Sequence, residues 1–449
     1  MQSAARSFYI LTFGCKVNQY ESEALDEAWT ALGGKAAASP ADADLVLINS
    51  CAVTAMAVSD LRQAVRRLHR EAPRAAIVIT GCAASRAARG AERPGEVLAD
   101  LPGVTGLVDA RRKDALLSFI TSPEFPVPSP ELANPPEKPA YPPFAIGRFR
   151  RARPVLKVQD GCSHGCAYCI VPLSRGPSRS RSVSDVLAEA RRLLEAGYAE
   201  IMISGINLRQ YACHAEGCPD FWALLRRLDQ ELAPQWAGHA RFRLSSVEPG
   251  QLDERGLDVL ASSRMLCPHL HISLQSGSPS VLRRMGRGHY GPEDLLRAVE
   301  AMRGFWPVFG LGADILVGFP GETDDEAAET LDFVRRLPLT YAHVFPYSER
   351  PGTRAASMPQ AVPVPERKAR AAVLREAVAA SRAAFLRSLA GRRCLVALER
   401  DDMGHTEWYA SCRLLDAPSR GGAGTALLPA IVEGVEGDLL LARHVPASF

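Results

Sequence analysis

Lysine is nearly absent from this chain. Six of its 53 basic residues are lysine and the other 47 are arginine. Arginine suits phosphates and stacked bases. A skewed genome composition produces the same bias, so the ratio by itself assigns no partner. Long apolar runs are also missing. No stretch of 18 apolar residues occurs, so no membrane-spanning helix and no membrane partner are expected. The start, Met1-Gln-Ser-Ala-Ala-Arg-Ser-Phe8, has no apolar stretch behind a basic flank. No secretory signal and a cytoplasmic location are therefore expected. Gly318 and Gly321 are not a dinucleotide loop, because the G-x-G-x-x-G spacing is absent there.

What remains is a chain of 449 residues, enough for two or three domains, with a formal net charge of +3. Its hydrophobic fraction of 47% and charged fraction of 23% are ordinary for a soluble protein. Eleven cysteines without a secretion signal point to thiolate chemistry in a reducing compartment rather than to disulfides.

Three of them stand in one short stretch, Gly161-Cys162-Ser-His164-Gly165-Cys166-Ala-Tyr168-Cys169. A cubane iron–sulfur cluster has four irons and is usually held by cysteine thiolates. Three cysteines leave one iron open to a small molecule, as an open catalytic zinc is. Gly161 and Gly165 are expected to let the backbone fold tightly around the cluster. The alternative is a zinc site completed by His164 or a further cysteine.

Residues 8–120 alternate short apolar runs with helical periodicity. Strands are expected at 8–13, 44–49, 75–80 and 105–108, with helices at 21–32 and 59–70. That pattern predicts a doubly wound parallel sheet. Cys15 follows the first strand, Cys51 the second and Cys82 the third. Ligands of open parallel sheets bind outside the carboxyl ends of the strands. Three such cysteines should converge there and form a second three-thiolate set. One alone would read as a buried small hydrophobe.

The Cys162-x3-Cys166-x2-Cys169 spacing, with Tyr168 before the third cysteine, resembles the signature of radical S-adenosylmethionine enzymes. Gly14-Cys-Lys-Val-Asn-Gln-Tyr-Glu-Ser-Glu23, Ile48-Asn-Ser-Cys-Ala-Val-Thr54 and Thr80-Gly-Cys82 resemble the amino-terminal domain of the methylthiotransferases among them. Lys16 to Glu23 looks most like the branch acting on threonylcarbamoyladenosine in tRNA. The resemblance implies two [4Fe-4S] clusters, on Cys162, Cys166 and Cys169 and on Cys15, Cys51 and Cys82. It implies S-adenosylmethionine as cofactor and the tRNA anticodon loop as partner, with an external electron donor and a sulfur donor.

Six strand-like runs, at 155–159, 200–204, 241–246, 269–274, 311–317 and 341–346, predict a partial parallel barrel of six strand–helix units. Barrel chemistry sits at the carboxyl ends of such strands. Polar residues fall there: Ser204, Gly205, Asn207, Ser246, Glu248, Gln275 and Tyr347. With Tyr168 they are the candidates to bind S-adenosylmethionine, though each also suits a purely structural role at the rim. Thr323 and Glu326 read as a helix capping box. Arg243 to Pro249, His269 to Gly277, Asp314 to Thr323 and His343 to Ser348 resemble the same family's core, apart from Ser273, where proline is more usual. Cys213, His214 and Cys218 look like a metal pair with too few ligands. Cys267, Cys394 and Cys412 read as core residues.

The expected organisation is a cluster-binding domain at 6–120, a proline-rich linker at 121–147, a core barrel at 148–378 and a small β-barrel at 379–449. Arg148, Arg150, Arg151 and Arg153 follow the linker and suit either a nucleic-acid backbone or a strand entry. Residues 365–389 predict an arginine-rich helix lying on the barrel or facing RNA. The tail after 390 predicts strands at 394–398, 408–411 and 438–442 and resembles an RNA-binding TRAM domain. Six arginines against eight acids give that tail a net charge of −2, at odds with a nucleic-acid module. A patch at Arg392, Arg393 and Trp408 is what remains for RNA.

The family reading predicts methylthio transfer to C2 of threonylcarbamoyladenosine at position 37 of tRNA, with two S-adenosylmethionine per turnover. The alternatives are the same reaction on isopentenyladenosine or on a ribosomal protein aspartate, and a non-catalytic iron–sulfur protein for RNA binding or electron transfer. Four cysteines per cluster would be expected of the last.

Overall fold

The computed structural model describes residues 6–87, 90, 97–122, 141, 144–417 and 426–445. The prolines of the expected linker, from Pro123 to Pro143, lie outside the described residues. Contacts divide the chain into two compact units. One comprises 1–148, 159–180 and 348–357, the other 149–158, 181–347 and 358–449.

The first unit is built on a five-stranded sheet of β1 (Ser7–Thr12), β2 (Lys35–Ala36), β3 (Leu45–Ser50), β4 (Ala76–Gly81) and β5 (Val104–Asp109). Its order is β2-β1-β3-β4-β5 and every pairing is parallel. β3 and β4 are buried along their whole length, because helices shield both faces. α1 (Lys16–Ala31) follows β1, α2 (Ala55–Glu71) follows β3, and α3 (Cys82–Ala87) follows β4. Thr54 caps α2 by accepting the Ala57 N–H at 3.2 Å. The two-residue strand β2 carried no signal in the sequence pattern.

β6 (Val155–Lys157) belongs to the second unit. The segment after it, in the first unit, holds the pair β7 (Gln159–Asp160) and β8 (Arg179–Ser180) and the one-turn helix α4 (Val171–Arg175).

The second unit continues with β9 (Glu200–Ser204), β10 (Arg241–Leu244), β11 (Ser246–Val247), β12 (His269–Gln275), β13 (Gly310–Val317) and β14 (Tyr341–Pro346). These run parallel in two arcs, β6-β9-β10 and β11-β12-β13-β14, with a further parallel bridge from Phe242 to Leu266. The partial six-unit barrel expected from the sequence is therefore present. Helices α5 (Val183–Glu195), α6 (Phe221–Trp236), α7 (Glu254–Ser262), α8 (Pro279–Arg284), α9 (Pro292–Phe305) and α10 (Asp324–Arg336) fill its connections. Thr323 and Glu326 form the capping box of α10.

α11 (Val364–Ser388) lies against β14 and α10. Its arginines are engaged with protein. Arg370 pairs with Glu322, Asp324 and Glu366, and Arg375 donates to the Val344 carbonyl at 2.7 Å. The helix therefore packs on the barrel.

The tail closes into a five-stranded barrel of β15 (Arg393–Arg400), β16 (Met403–His405), β17 (Ser411–Leu414), β18 (Leu427–Glu436) and β19 (Leu439–His444). Two expectations are corrected here. Residues 408–410 are not a strand, and Trp408 is not a surface residue. It is buried with Val396, Cys412 and Leu440, where the ring contributes more than it would on an open RNA face.

Arg153 is also corrected as a nucleic-acid contact, because it pairs with Glu200 at 3.4 Å and Glu399 at 2.8 Å. Arg241 and Arg243 clasp Glu200 with bonds of 2.6 to 2.8 Å and donate onward to the carbonyls of Leu395, His405, Thr406 and Glu407. Part of the arginine excess is thus spent on buried ion pairs. Cys267, Cys394 and Cys412 are buried thiols, and Cys213 and Cys218 face each other across a backbone bridge.

Candidate active site

β1, β3 and β4 are neighbours in the sheet, so the residues at their carboxyl ends are brought together. Cys15 follows β1 and caps α1, its carbonyl accepting the Gln19 N–H at 3.1 Å. Cys51 follows β3, and Cys82 opens α3. All three thiols are free. Cys51 and Cys82 are buried and Cys15 is exposed. The chain reaches these places through glycine. Gly14 and Gly81 lie at φ of 95° and 92°, in the left-handed region that a side chain disfavours. A Cβ on Gly14 would lie 2.7 Å from the Cβ of Cys51, so only glycine lets the two cysteine turns meet.

The second triad uses the same device. Gly161, at φ of 69°, precedes Cys162, and a Cβ there would sit 2.0 Å from the Pro177 carbonyl oxygen. Gly165 is different: it is not at positive φ, and a Cβ there would meet nothing within 4 Å. The expectation that its turn requires glycine is corrected. Amides are directed at the sulfur, with the His164 N–H 3.4 Å from the Cys162 Sγ. Ala355 N–H bonds the Ala167 carbonyl at 2.8 Å, and Arg354 donates to the Gly165 carbonyl, so residues 354–355 hold the loop in shape.

A buried polar network joins the two cysteine loops. Arg175, 1% exposed, donates to Glu21 at 2.9 and 3.1 Å, to Asn18 at 2.5 Å and to Asp160 at 2.8 Å. Glu21 also takes Lys113, which donates to Asn49 at 2.9 Å. Burial works against the Arg175 charge, but Asp160 and Glu21 outweigh it and keep the guanidinium protonated. Burial also raises the thiols. Cys82 is pushed up to about 11, against the pull of Arg175, and Cys51 is raised for the same reason. A cluster is held by thiolates, so binding one here would release the protons that burial keeps on Cys51 and Cys82.

Sequence reasoning read Asn18 and Glu21 only as part of a signature and did not single out Arg175 or Lys113. Their only signal was a charged residue inside an otherwise apolar pattern.

In the second unit, the predicted rim residues stand at or just past the strand ends. The Glu248 carboxylate lies within 3.1 to 3.4 Å of donors on Asn207, Arg209, Arg287 and His289, so it braces four loop positions. Gln275 ends β12 at φ of 66°, a strained conformation for a residue with a side chain. Tyr347 is buried between Phe319, ring to ring at 5.8 Å, and the Arg367 guanidinium at 5.2 Å. Ser204 is buried, while Gly205 and Ser246 are half-buried. Ser245, beside Ser246, is 6% exposed, and its hydroxyl has no hydrogen-bond partner among the described residues. A buried orphan hydroxyl at the strand ends fits a polar ligand there. Tyr168 stays with the cysteine loop in the first unit and is half-buried.

Comparison with known proteins gives two family matches. Residues 156–334 match the radical SAM superfamily, and residues 7–99 match an uncharacterized protein family, UPF0004. The chain is 37% identical to a threonylcarbamoyladenosine tRNA methylthiotransferase MtaB of Chlamydia pneumoniae, over 80% of this chain and 78% of the relative. A protein of the same name from Rickettsia prowazekii is 32% identical over 95% of both. A tRNA-2-methylthio-N(6)-dimethylallyladenosine synthase of Carboxydothermus hydrogenoformans is 32% identical over 80% of each chain. Among solved structures, the radical S-adenosylmethionine methyltransferase TsrM of Kitasatospora setae overlays 78% of this chain and 77% of its own, with a TM-score of 0.57 at 17% identity. That likeness is one of fold.

Proposed function

From a chain that belongs to the MtaB-type family of radical S-adenosylmethionine tRNA methylthiotransferases, we infer methylthio transfer to C2 of N6-threonylcarbamoyladenosine at position 37 of tRNA. The observation that supports this most is the presence of two separate three-cysteine sets, each of which would leave one iron of a [4Fe-4S] cluster without a protein ligand. Cys162, Cys166 and Cys169 would hold one cluster, and Cys15, Cys51 and Cys82 the other. When bound, the first supplies reductive cleavage of S-adenosylmethionine and the second an iron for the sulfur that is transferred. Two S-adenosylmethionine are consumed, one for the radical and one for the methyl group. Ring C2–H bonds of this kind are closed to ordinary acid–base chemistry, which is why radical chemistry is needed.

The chain's own residues prepare this reaction. The buried network of Arg175, Glu21, Asn18 and Asp160 fixes the two cysteine loops against one another. Ser204, Gly205, Asn207, Ser246, Gln275 and Tyr347 would hold S-adenosylmethionine, and Glu248 braces that rim. An external reductant and a sulfur donor are required. The target base lies in a single-stranded loop, where it can be splayed out and read. Among the described residues no helix is long and apolar enough to cross a membrane, in keeping with a cytoplasmic substrate.

The test is an anaerobic reaction of reconstituted protein with reductant, S-adenosylmethionine and three tRNAs carrying threonylcarbamoyladenosine, isopentenyladenosine or plain adenosine at position 37. Nucleoside mass spectrometry should find the methylthio product from the first alone. Product from the second tRNA instead would transfer the assignment to that substrate. No methylthio nucleoside from any tRNA would overturn the reading.

A further inference from the structure

Resting on that reading, we propose that His271, Asp314 and His343 form the subsite that recognises the threonylcarbamoyl group on N6 of the target adenine. The three lie on adjacent parallel strands, β12, β13 and β14, and Asp314 is the register partner of His343. One nitrogen or oxygen from each falls within 4.8 Å of the others. Side chains alternate along a strand. The alternate residues Leu270, Ile272, Leu311, Ala313, Ile315 and Val344 are buried. They face the helix layer, where α11 packs on β13 and β14. The polar set is therefore on the concave face of the partial barrel.

The arrangement is fixed rather than incidental. The Tyr341 hydroxyl lies 2.9 Å from His271 Nδ1 and 3.0 Å from His269 Nε2, which orients the His271 ring. His271 Nε2 then meets Asp314 Oδ1 at 3.0 Å. Gly312 leaves room for this: a Cβ there would lie 2.2 Å from the Tyr341 ring and 2.6 Å from His271 Nδ1. His271 is buried, Asp314 half-buried and His343 exposed, so the set grades from the wall of the barrel to solvent. Asp314 and His343 each stand three residues before the end of their strands, about 10 Å below the rim at ~3.3 Å per residue. A substituent on N6 of a base held at the rim extends into that depth.

The chemistry matches. A threonylcarbamoyl group carries N–H donors, a hydroxyl and a carboxylate. His271 holds Asp314 in place through Oδ1, Asp314 accepts an N–H of the ligand, and the His343 imidazole offers an N–H to the ligand's carboxylate. A dimethylallyl chain offers Asp314 and His343 no polar partner, and each hydrogen bond forgone lowers affinity by up to about 10-fold. The same three side chains are also a ligand set for a divalent metal, which the test separates.

The experiment measures binding of the cluster-loaded protein to anticodon stem–loops bearing threonylcarbamoyladenosine or plain adenosine at position 37, by fluorescence anisotropy, alongside total metal per chain. Wild type should prefer the modified stem–loop by about 10-fold or more. Asp314→Asn and His343→Phe should each remove most of that preference while leaving affinity for the plain stem–loop within ~2-fold. His343 is exposed, so its variant should remain folded. Unchanged preference in both variants overturns the inference, even where wild type still methylthiolates the modified tRNA. A divalent metal beyond the cluster iron, bound one per chain and lost in both variants, also overturns it. A wild type without preference and without product on that tRNA would instead bring down the substrate assignment itself.

Discussion

Arg175 and Glu21 are 154 residues apart in the chain, yet they meet through two hydrogen bonds with neither side chain more than 1% exposed. Glu21 lies on the helix opened by Cys15, and Arg175 stands six residues past Cys169. The pair therefore fastens the loops of both cysteine triads, and Asp160, two residues before Cys162, shares the same guanidinium.

Replacing that arginine should be costly. Arg175→Met takes the guanidinium from Glu21, which keeps Lys113, and from Asp160, which keeps Arg179 at 3.3 Å. Breaking a buried pair from one side costs roughly 3–5 kcal/mol. Arg175→Lys should recover only part of this, because an ammonium cannot make the same forked contacts. Thermal unfolding monitored by circular dichroism should rank wild type above Lys and Lys above Met.

Gly161→Ala tests the turn before Cys162. Its positive φ and the clash with the Pro177 carbonyl together should cost more than ~1 kcal/mol and displace the loop. Iron bound through Cys162, Cys166 and Cys169 should fall, while iron on Cys15, Cys51 and Cys82 is kept. Iron per chain should therefore drop to about half on reconstitution. Gly165→Ala, where a Cβ meets nothing, should leave iron content unchanged.

Glu200 gives a pH dependence. Burial alone would raise its pKa, but Arg243, Arg241 and Arg153 hold it well below the ordinary 4.5. A carboxyl depressed on folding contributes stability that is complete above its unfolded value and is lost as pH falls through the folded one. Wild type should thus lose stability as pH drops below about 4.5, and Glu200→Gln should lose much less over that interval. The variant should also be less stable at neutral pH by roughly 3–5 kcal/mol, because Arg241 and Arg243 lose their counter-charge. Urea titrations between pH 3 and pH 7 read both effects.

The fold was largely legible before the structure. Uniformly apolar runs such as Leu45 to Ile48 and Ala75 to Ile79 mark strands buried on both faces, and their alternation with helices gives parallel sheets. The cysteine spacing and its repeat after three strands located both triads. What was not legible depends on distant pairing. Trp408 looked like a surface aromatic, but the closure of a five-stranded barrel buries it. Arg153 suited either a phosphate contact or a strand entry until Glu200 and Glu399 were seen beside it. The roles of Arg175 and His271 could not be read locally, since their partners arrive from elsewhere in the chain.

The central claim is that the two triads do different parts of one reaction. Wild type, Cys166→Ala and Cys51→Ala should be reconstituted anaerobically and supplied with S-adenosylmethionine, reductant and tRNA carrying threonylcarbamoyladenosine. Both 5′-deoxyadenosine and the methylthio nucleoside are then quantified. Wild type should form both. Cys166→Ala should form neither, and Cys51→Ala should form 5′-deoxyadenosine without the methylthio product. Methylthio product from Cys51→Ala at the wild-type level would contradict the account, because the second triad would then have no part in sulfur transfer.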